Sequence, residues 1–219
     1  MDIIYEDKNM LIVNKPAGVL TQSNRSFDKD LTSEVMTYRR KNKEEPYAAV
    51  INRLDRPVSG LVLFAKDKKT AAKLSEQLQT HTFNKQYLAL VEGTPESNKG
   101  ELQDYLVKDP QTNTSSVTTK EDKSGKLAKL KYELIKTIKD DNGEDISLLK
   151  IHLITGRHHQ IRVQLSARNI PIIGDTKYGS VGRIVNGRSL VKRNQIALCA
   201  YSLTVNEKTY KIDNPFKQI

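Results

Sequence analysis

One carboxylate in this sequence stands out for its company. Asp55 lies between Arg53 and Arg56 in the stretch Asn52-Arg53-Leu54-Asp55-Arg56-Pro57-Val58-Ser59-Gly60, just ahead of the apolar run Leu61 to Ala65. An acid flanked by two guanidinium groups is held ionised, because nearby positive charge favours its charged form. Pro57 fixes φ and Gly60 permits positive φ, so the acid sits where the chain turns sharply into a core element. An ionised Asp in that position is equipped to act as nucleophile or base. The alternative is a turn Asp that only pairs with its neighbours.

A second candidate is Gly156-Arg157-His158-His159-Gln160-Ile161-Arg162. Two histidines raise the question of a metal, but adjacent side chains on a helix diverge and no Cys, Asp or Glu stands near enough in sequence to complete a shell. The stretch reads better as a helix start, rich in Arg and Gln, whose free N–H groups and dipole face an anion. A solvated first turn is the plainer reading. Tyr87, at the start of the alternating run Gln86 to Glu92, has the position for stacking on a base, which is worth about 1–3 kcal/mol, or for an ordinary core tyrosine. Cys199, in the apolar run Ile196 to Ala200, reads as an inert buried thiol.

These side chains need elements to hold them. The pattern predicts strands at Ile3–Tyr5 and Met10–Asn14, a turn at Lys15-Pro16-Ala17-Gly18, and a helix over Leu31–Lys41 capped by Asp30. A buried strand follows at Leu61–Ala65, then a helix over Lys68–Thr80 capped by Asp67 with Ala71, Leu74 and Leu78 inward. Strands at Gln86–Glu92, Lys129–Thr137, Ile146–Ile154 and Ile196–Val205, with a helix near Arg157 burying Ile161 and Leu165, complete the set. The polar stretch Gln111–Lys126 reads as an exposed loop. Strands outnumber helices and adjoin one another, which points to an α+β fold with a largely antiparallel sheet.

Length and composition set the bounds. The 219 residues suit a single domain over 1–219 with a sizeable core. One Cys excludes an internal disulfide framework and a four-Cys zinc site. Apolar runs of about five residues exclude a membrane-spanning helix. The acidic start Met1-Asp2-Ile3-Ile4-Tyr5-Glu6-Asp7 lacks the features of a signal peptide, so a cytoplasmic protein is expected. The net charge of +10 is uneven. Between Ile146 and Asn206 nine bases, six of them Arg, face one acid, Asp175. Arg-rich positive charge is the footprint of a polyanion partner.

In this order the segments resemble a known family. Asn-Arg-Leu-Asp-Arg-Pro-Val-Ser-Gly-Leu-Val-Leu-Phe-Ala-Lys (52–66) resembles the central signature of the RluA-type RNA pseudouridine synthases, and Lys85–Gly93 resembles their K-x-Y-x-A-x-V-x-G strand. Gly156–Gly179 resembles their closing signature, and Ile3–Gly18 has the look of their opening. The resemblance implies a pseudouridine synthase fold, a mixed, mostly antiparallel central sheet with flanking helices and a central active-site cleft, as a catalytic domain without an S4 RNA-binding domain. It implies Asp55 as the catalytic aspartate, Tyr87 as the residue that stacks on the target base and handles its C5 proton, Arg162 as the ion-pair partner of Asp55, and Arg53 as support for the loop. RNA contacts would fall to Arg56, Arg157, His158, His159, Gln160, Arg183, Arg188 and Arg193.

The implied reaction joins uracil C5 to C1′ in place of N1, with no atom gained or lost. No redox or nucleotide cofactor and no metal is called for, and a monomer acting on ribosomal or transfer RNA is expected. Attack by Asp55 at C1′, attack at C6 and proton abstraction to a glycal are all open. The target nucleotide must leave its stack, which favours single-stranded loops. Three positions depart from the family pattern: Asn52 for His, Val58 for Thr, and His158 for Thr or Ser. Two other functions remain: an RNA-binding or ribosome-assembly protein that performs no chemistry, and a hydrolase using Asp55, for which a second carboxylate about 5–9.5 Å away is wanted and only Asp175 offers itself.

Overall fold

Two short strands joined by a polar turn begin the chain, β1 (Asp2–Glu6) and β2 (Met10–Lys15), paired antiparallel. Asp7 closes the turn by accepting from the backbone N–H groups of Asn9 and Met10, each at 2.7 Å. The computed structural model describes residues 1–23, 30–80 and 83–217. It divides into two compact units: Met1–Asn84 with Ala200–Asp213, and Lys85–Cys199 with the residues from Asn214 onward.

In the first unit, α1 (Leu31–Lys41) starts at Asp30, whose carboxylate accepts from Ser33 N–H at 2.7 Å. After β3 (Ala49–Val50) comes β4 (Ser59–Ala65), antiparallel to β2 from Met10↔Ala65 to Lys15↔Gly60. From Gly60 to Ala65 every β4 residue is buried, so this strand reads as a continuous apolar run instead of alternating. α2 (Lys68–Gln79) is capped by Asp67 through Thr70 N–H and points Leu74 inward. Ile12, Leu63, Leu74, Phe83, Leu203 and Tyr210 lie in one core cluster.

The second unit is built on antiparallel strands: β5 (Asn84–Glu92), β6 (Lys99–Asp109), β7 (Thr114–Thr118), β8 (Lys126–Lys139) and β9 (Asp145–Leu153). Their spatial order is β5-β9-β8-β6-β7. Next come α3 (Gln160–Ser166), a 3₁₀ turn at Thr176–Tyr178, and the small ribbon of β10 (Ile184–Val185) and β11 (Arg188–Ser189). β12 (Leu198–Val205) and β13 (Lys208–Lys211) pair antiparallel through Val205↔Lys208, within the first unit. Leu106, Ala128 and Val163 pack together with Tyr178 against them.

The α+β class, both cap residues and the strands predicted from alternation are present. The exposed loop predicted at 111–126 is a correction: Thr114–Thr118 is a strand, paired with β6 from Tyr105↔Thr118 to Asp109↔Thr114. An edge strand needs only backbone hydrogen bonds on one side, so a Ser/Thr-rich sequence with no apolar alternation can supply it. Among the described residues no helix is long and apolar enough to cross a membrane.

Candidate active site

Asp55 is half-buried in a tight turn in which Val58 N–H donates to its carbonyl at 3.1 Å. The turn is tied to the segment following β2. Thr21 Oγ1 donates to Leu54 O at 2.8 Å and accepts from Leu54 N–H at 3.1 Å. Gly18 N–H donates to Arg56 O at 2.7 Å, and Arg56 Nε donates back to Gly18 O at 3.0 Å. Asn52, one of the departures from the family pattern, spans the mouth of the loop: its amide donates to Leu61 O and accepts from Leu63 N–H.

The cation beneath this turn is Lys15, fully buried at the end of β2. Its ammonium donates to Val19 O at 2.7 Å, Pro16 O at 3.1 Å and Arg56 O at 3.3 Å. Burial pulls its pKa down to about 8, and the negative charge of Asp55 works the other way. This corrects the sequence reading of Asp55. Arg56 is turned to the Gly18 carbonyl, and Arg53 is exposed with no ion pair among the described residues. Neighbours in a tight turn diverge, and one charge that does act on Asp55 comes from the end of a strand. The signal in the sequence is a lysine at the end of the strand Met10–Lys15, directly before a Pro-Ala-Gly turn.

In the second unit Tyr87 is buried in β5, opposite Ile151. Arg162, on α3, is buried and bidentate to Asp175: Nε to Oδ2 at 2.6 Å and Nη2 to Oδ1 at 2.8 Å. Its guanidinium also lies 4.9 Å over the ring of Tyr178. Two faces of the cation are thereby fixed, one by an in-plane carboxylate and one by a π-face. Tyr178 Oη accepts from Ser115 N–H at 2.9 Å and lies 2.7 Å from His159 Nδ1. The two histidines stack with centroids 3.8 Å apart, and His158 Nδ1 meets Ser115 Oγ at 2.9 Å.

Several residues expected to meet RNA have other duties. His159 sits in a left-handed conformation at the start of α3, and burial, helped by the charge of Arg162, lowers its pKa to about 3. It is neutral at any physiological pH and brings no charge to a phosphate. Gln160 is buried: its carbonyl accepts from Thr155 Oγ1 and Arg157 N–H, while its amide donates to Lys129 O and Gln164. Arg183 lies between Glu92 at 3.4 Å and Asp140 at 3.3 Å, so its charge is answered inside the protein. Arg157 is exposed and donates to Leu127 O, and Arg188 and Arg193 are exposed. Asp55, Arg53 and Arg56 thus belong to the first unit, and the remaining candidates to the second. The groups missed from sequence are Lys15, Asp175 as the partner of Arg162, and Tyr178. Among the described residues no cluster of His, Cys, Asp and Glu is placed to hold a metal ion.

Comparison with known proteins adds an independent line. A family model described as RNA pseudouridylate synthase matches residues 9–167, a span that contains Asp55, Tyr87 and Arg162. An uncharacterised RNA pseudouridine synthase of Bacillus subtilis is 32% identical over 191 residues, covering 87% of this chain and 61% of that protein. The ribosomal large subunit pseudouridine synthase D of Borreliella burgdorferi is 31% identical over 210 residues, covering 93% and 60%. The chain therefore spans about three fifths of the length of these two relatives. The structure of human RNA pseudouridylate synthase domain containing 4 superposes with a TM-score of 0.78 at 22% identity, over 98% of this chain and 89% of that one, which is a likeness of fold.

Proposed function

Since the chain belongs to the RNA pseudouridine synthase family, we propose that it isomerises a uridine of ribosomal or transfer RNA to pseudouridine, with Asp55 as the nucleophile. The observation that carries this reading is the construction around Asp55. A half-buried carboxylate rests in a turn held by Thr21, Gly18 and Lys15, above a buried ammonium. Such scaffolding limits the motion of a reacting group, which is where much of a catalyst's advantage arises.

In this reading the N1–C1′ bond breaks, the uracil turns, and C5 bonds to C1′. The proton on C5 leaves, and N1 ends protonated, so atoms balance without an added cofactor. Asp55 supplies the carboxylate. Tyr87 meets the flipped base and is the candidate to carry the C5 proton. Arg162, with its orientation set by Asp175 and Tyr178, is the cation that answers charge at the reacting centre. Residues 1–219 are read as a single catalytic domain. The relatives' names supply the substrate class: one is a ribosomal large subunit synthase, and another, from Vibrio parahaemolyticus at 33% identity, a dual-specificity RNA pseudouridine synthase.

The test is Asp55→Asn. The variant should fold and bind RNA but leave no pseudouridine in unmodified ribosomal and transfer RNA. Turnover at the parent rate would remove Asp55 as nucleophile. RNA binding by the parent protein with no pseudouridine formed would favour the reading without chemistry.

A further inference from the structure

Lys85 stands two residues before Tyr87 in β5, so the two side chains leave the same face of the strand. Across the ladder it is opposite Leu153, which in turn is opposite Leu130. Both leucines are buried, at 7% and 0% exposure, so the lysine stands at the end of an apolar row. At the other end of its stem the ammonium approaches the turn that leads into α3: a Cβ built on Gly156 would lie 3.5 Å from Nζ.

The charge is half-buried, and among the described residues the ammonium has no hydrogen bond and no ion pair. Desolvation alone holds its pKa below the usual lysine value, with no carboxylate opposing it. Two basic groups, His152 and Lys131, stand on the adjoining strands. His152, on the adjacent strand, is pushed toward its neutral form first by burial and then by Lys131 and Lys85. Within the same unit Arg162, Arg168 and Arg183 are each matched to carboxylates. A cation kept partly dry with no counter-charge lowers the stability of the folded chain, so a ligand is the natural source of the missing anion.

We propose that Lys85 is an anion-binding residue whose counter-charge is a phosphate oxygen of the bound RNA, next to the nucleotide that meets Tyr87. The assignment rests on the RNA-modifying reading above, and adds a binding residue to it. Lysine suits the role, since its ammonium is a compact charge on a flexible stem that can lie along apolar surface.

The test is Lys85→Met, which keeps the stem and removes the charge. The melting temperature should rise, since the unmatched charge is gone. Affinity for a labelled single-stranded oligouridylate should fall by about tenfold at low salt, and the slope of log affinity against log salt should shrink by about 0.7. Pseudouridine formation in unmodified ribosomal RNA should show a raised KM with kcat held, and Lys85→Arg should restore affinity. Unchanged affinity and slope, or a lowered melting temperature, would overturn the proposal. So would stabilisation of the parent protein by inorganic phosphate, lost in Lys85→Met, with RNA affinity unaltered. Oligouridylate binding is measured without turnover, so a parent that binds and never isomerises would refute the synthase reading and leave Lys85 standing.

Discussion

Gly60 joins two parts of the candidate site, and Gly60→Ala is the change with the best-defined cost. The residue pairs with Lys15 across the β2–β4 ladder and lies five residues beyond Asp55. Its φ is +116°, a region that side-chain-bearing residues rarely enter, at a cost of about 1–3 kcal/mol. A Cβ there would lie 2.3 Å from Ala200 O, 2.6 Å from Ala200 N and 2.7 Å from Ala200 C. Those atoms are backbone of β12 and cannot rotate away, so β4 and β12 must separate by about 1 Å or the loop must rebuild, for about 1–3 kcal/mol more. The sum, about 4 kcal/mol, is a large share of a typical folding free energy of about 5–15 kcal/mol. It should lower the melting temperature by roughly 8–16 °C in a chain of this size. Thermal and urea unfolding followed by circular dichroism measure it directly. A second variant sharpens the test. Adding Ala200→Gly removes only a side chain, while the clash is with the main chain, so the double variant should be no better than the single one. A loss under about 1 kcal/mol, or rescue by Ala200→Gly, would refute the reasoning.

Two further outcomes follow from the charges. Lys15 titrates near pH 8 when folded and near 10.5 when unfolded. The protonated form is therefore disfavoured by folding, a cost of about 3 kcal/mol that is fully present below pH 8 and relieved as pH rises toward 10.5. Denaturation from pH 7 to 10.5 should show this rise in the parent and its absence in Lys15→Met; equal slopes would dismiss Lys15 as its source. Arg188→Glu with Arg193→Glu should weaken oligouridylate binding and flatten its salt dependence while stability changes by less than about 0.5 kcal/mol. Arg183→Met should instead cost about 2 kcal/mol of stability, because Glu92 and Asp140 lose their shared partner; equal effects of the two changes on RNA affinity would contradict the division.

Local features were read well from the chain because short-range physics sets them. The apolar spacing that follows Asp30 and Asp67 marks each as a cap, and the same reasoning locates β2, β4, β5, β8 and β9. β6 and β7 were missed because an edge pair stabilised by backbone bonds leaves only a weak trace in side-chain pattern. Asp55 is legible in the sequence as a suspicious acid, but its neighbours in space are not. Sequence neighbours point to Arg53 and Arg56, whereas Arg56 turns to the Gly18 carbonyl, Arg53 is exposed, and a lysine 40 residues earlier lies beneath the turn.

Charge shows the division most clearly. Composition and order along the chain were enough to establish a basic protein, an Arg-rich segment from 146 to 206 and a family resemblance anchored on Asp55, Tyr87 and Arg162. The fate of each charge was decided by folding. Arg168 is matched by Asp104 and Arg183 by Glu92 and Asp140, acids that lie outside that segment, while Arg162 takes the single acid within it. Arg188 and Arg193 stay exposed, and Lys85 stays half-buried with no acid paired to it among the described residues. Coulomb energy depends on distance in space and on exclusion of water, and neither is a function of separation along the chain.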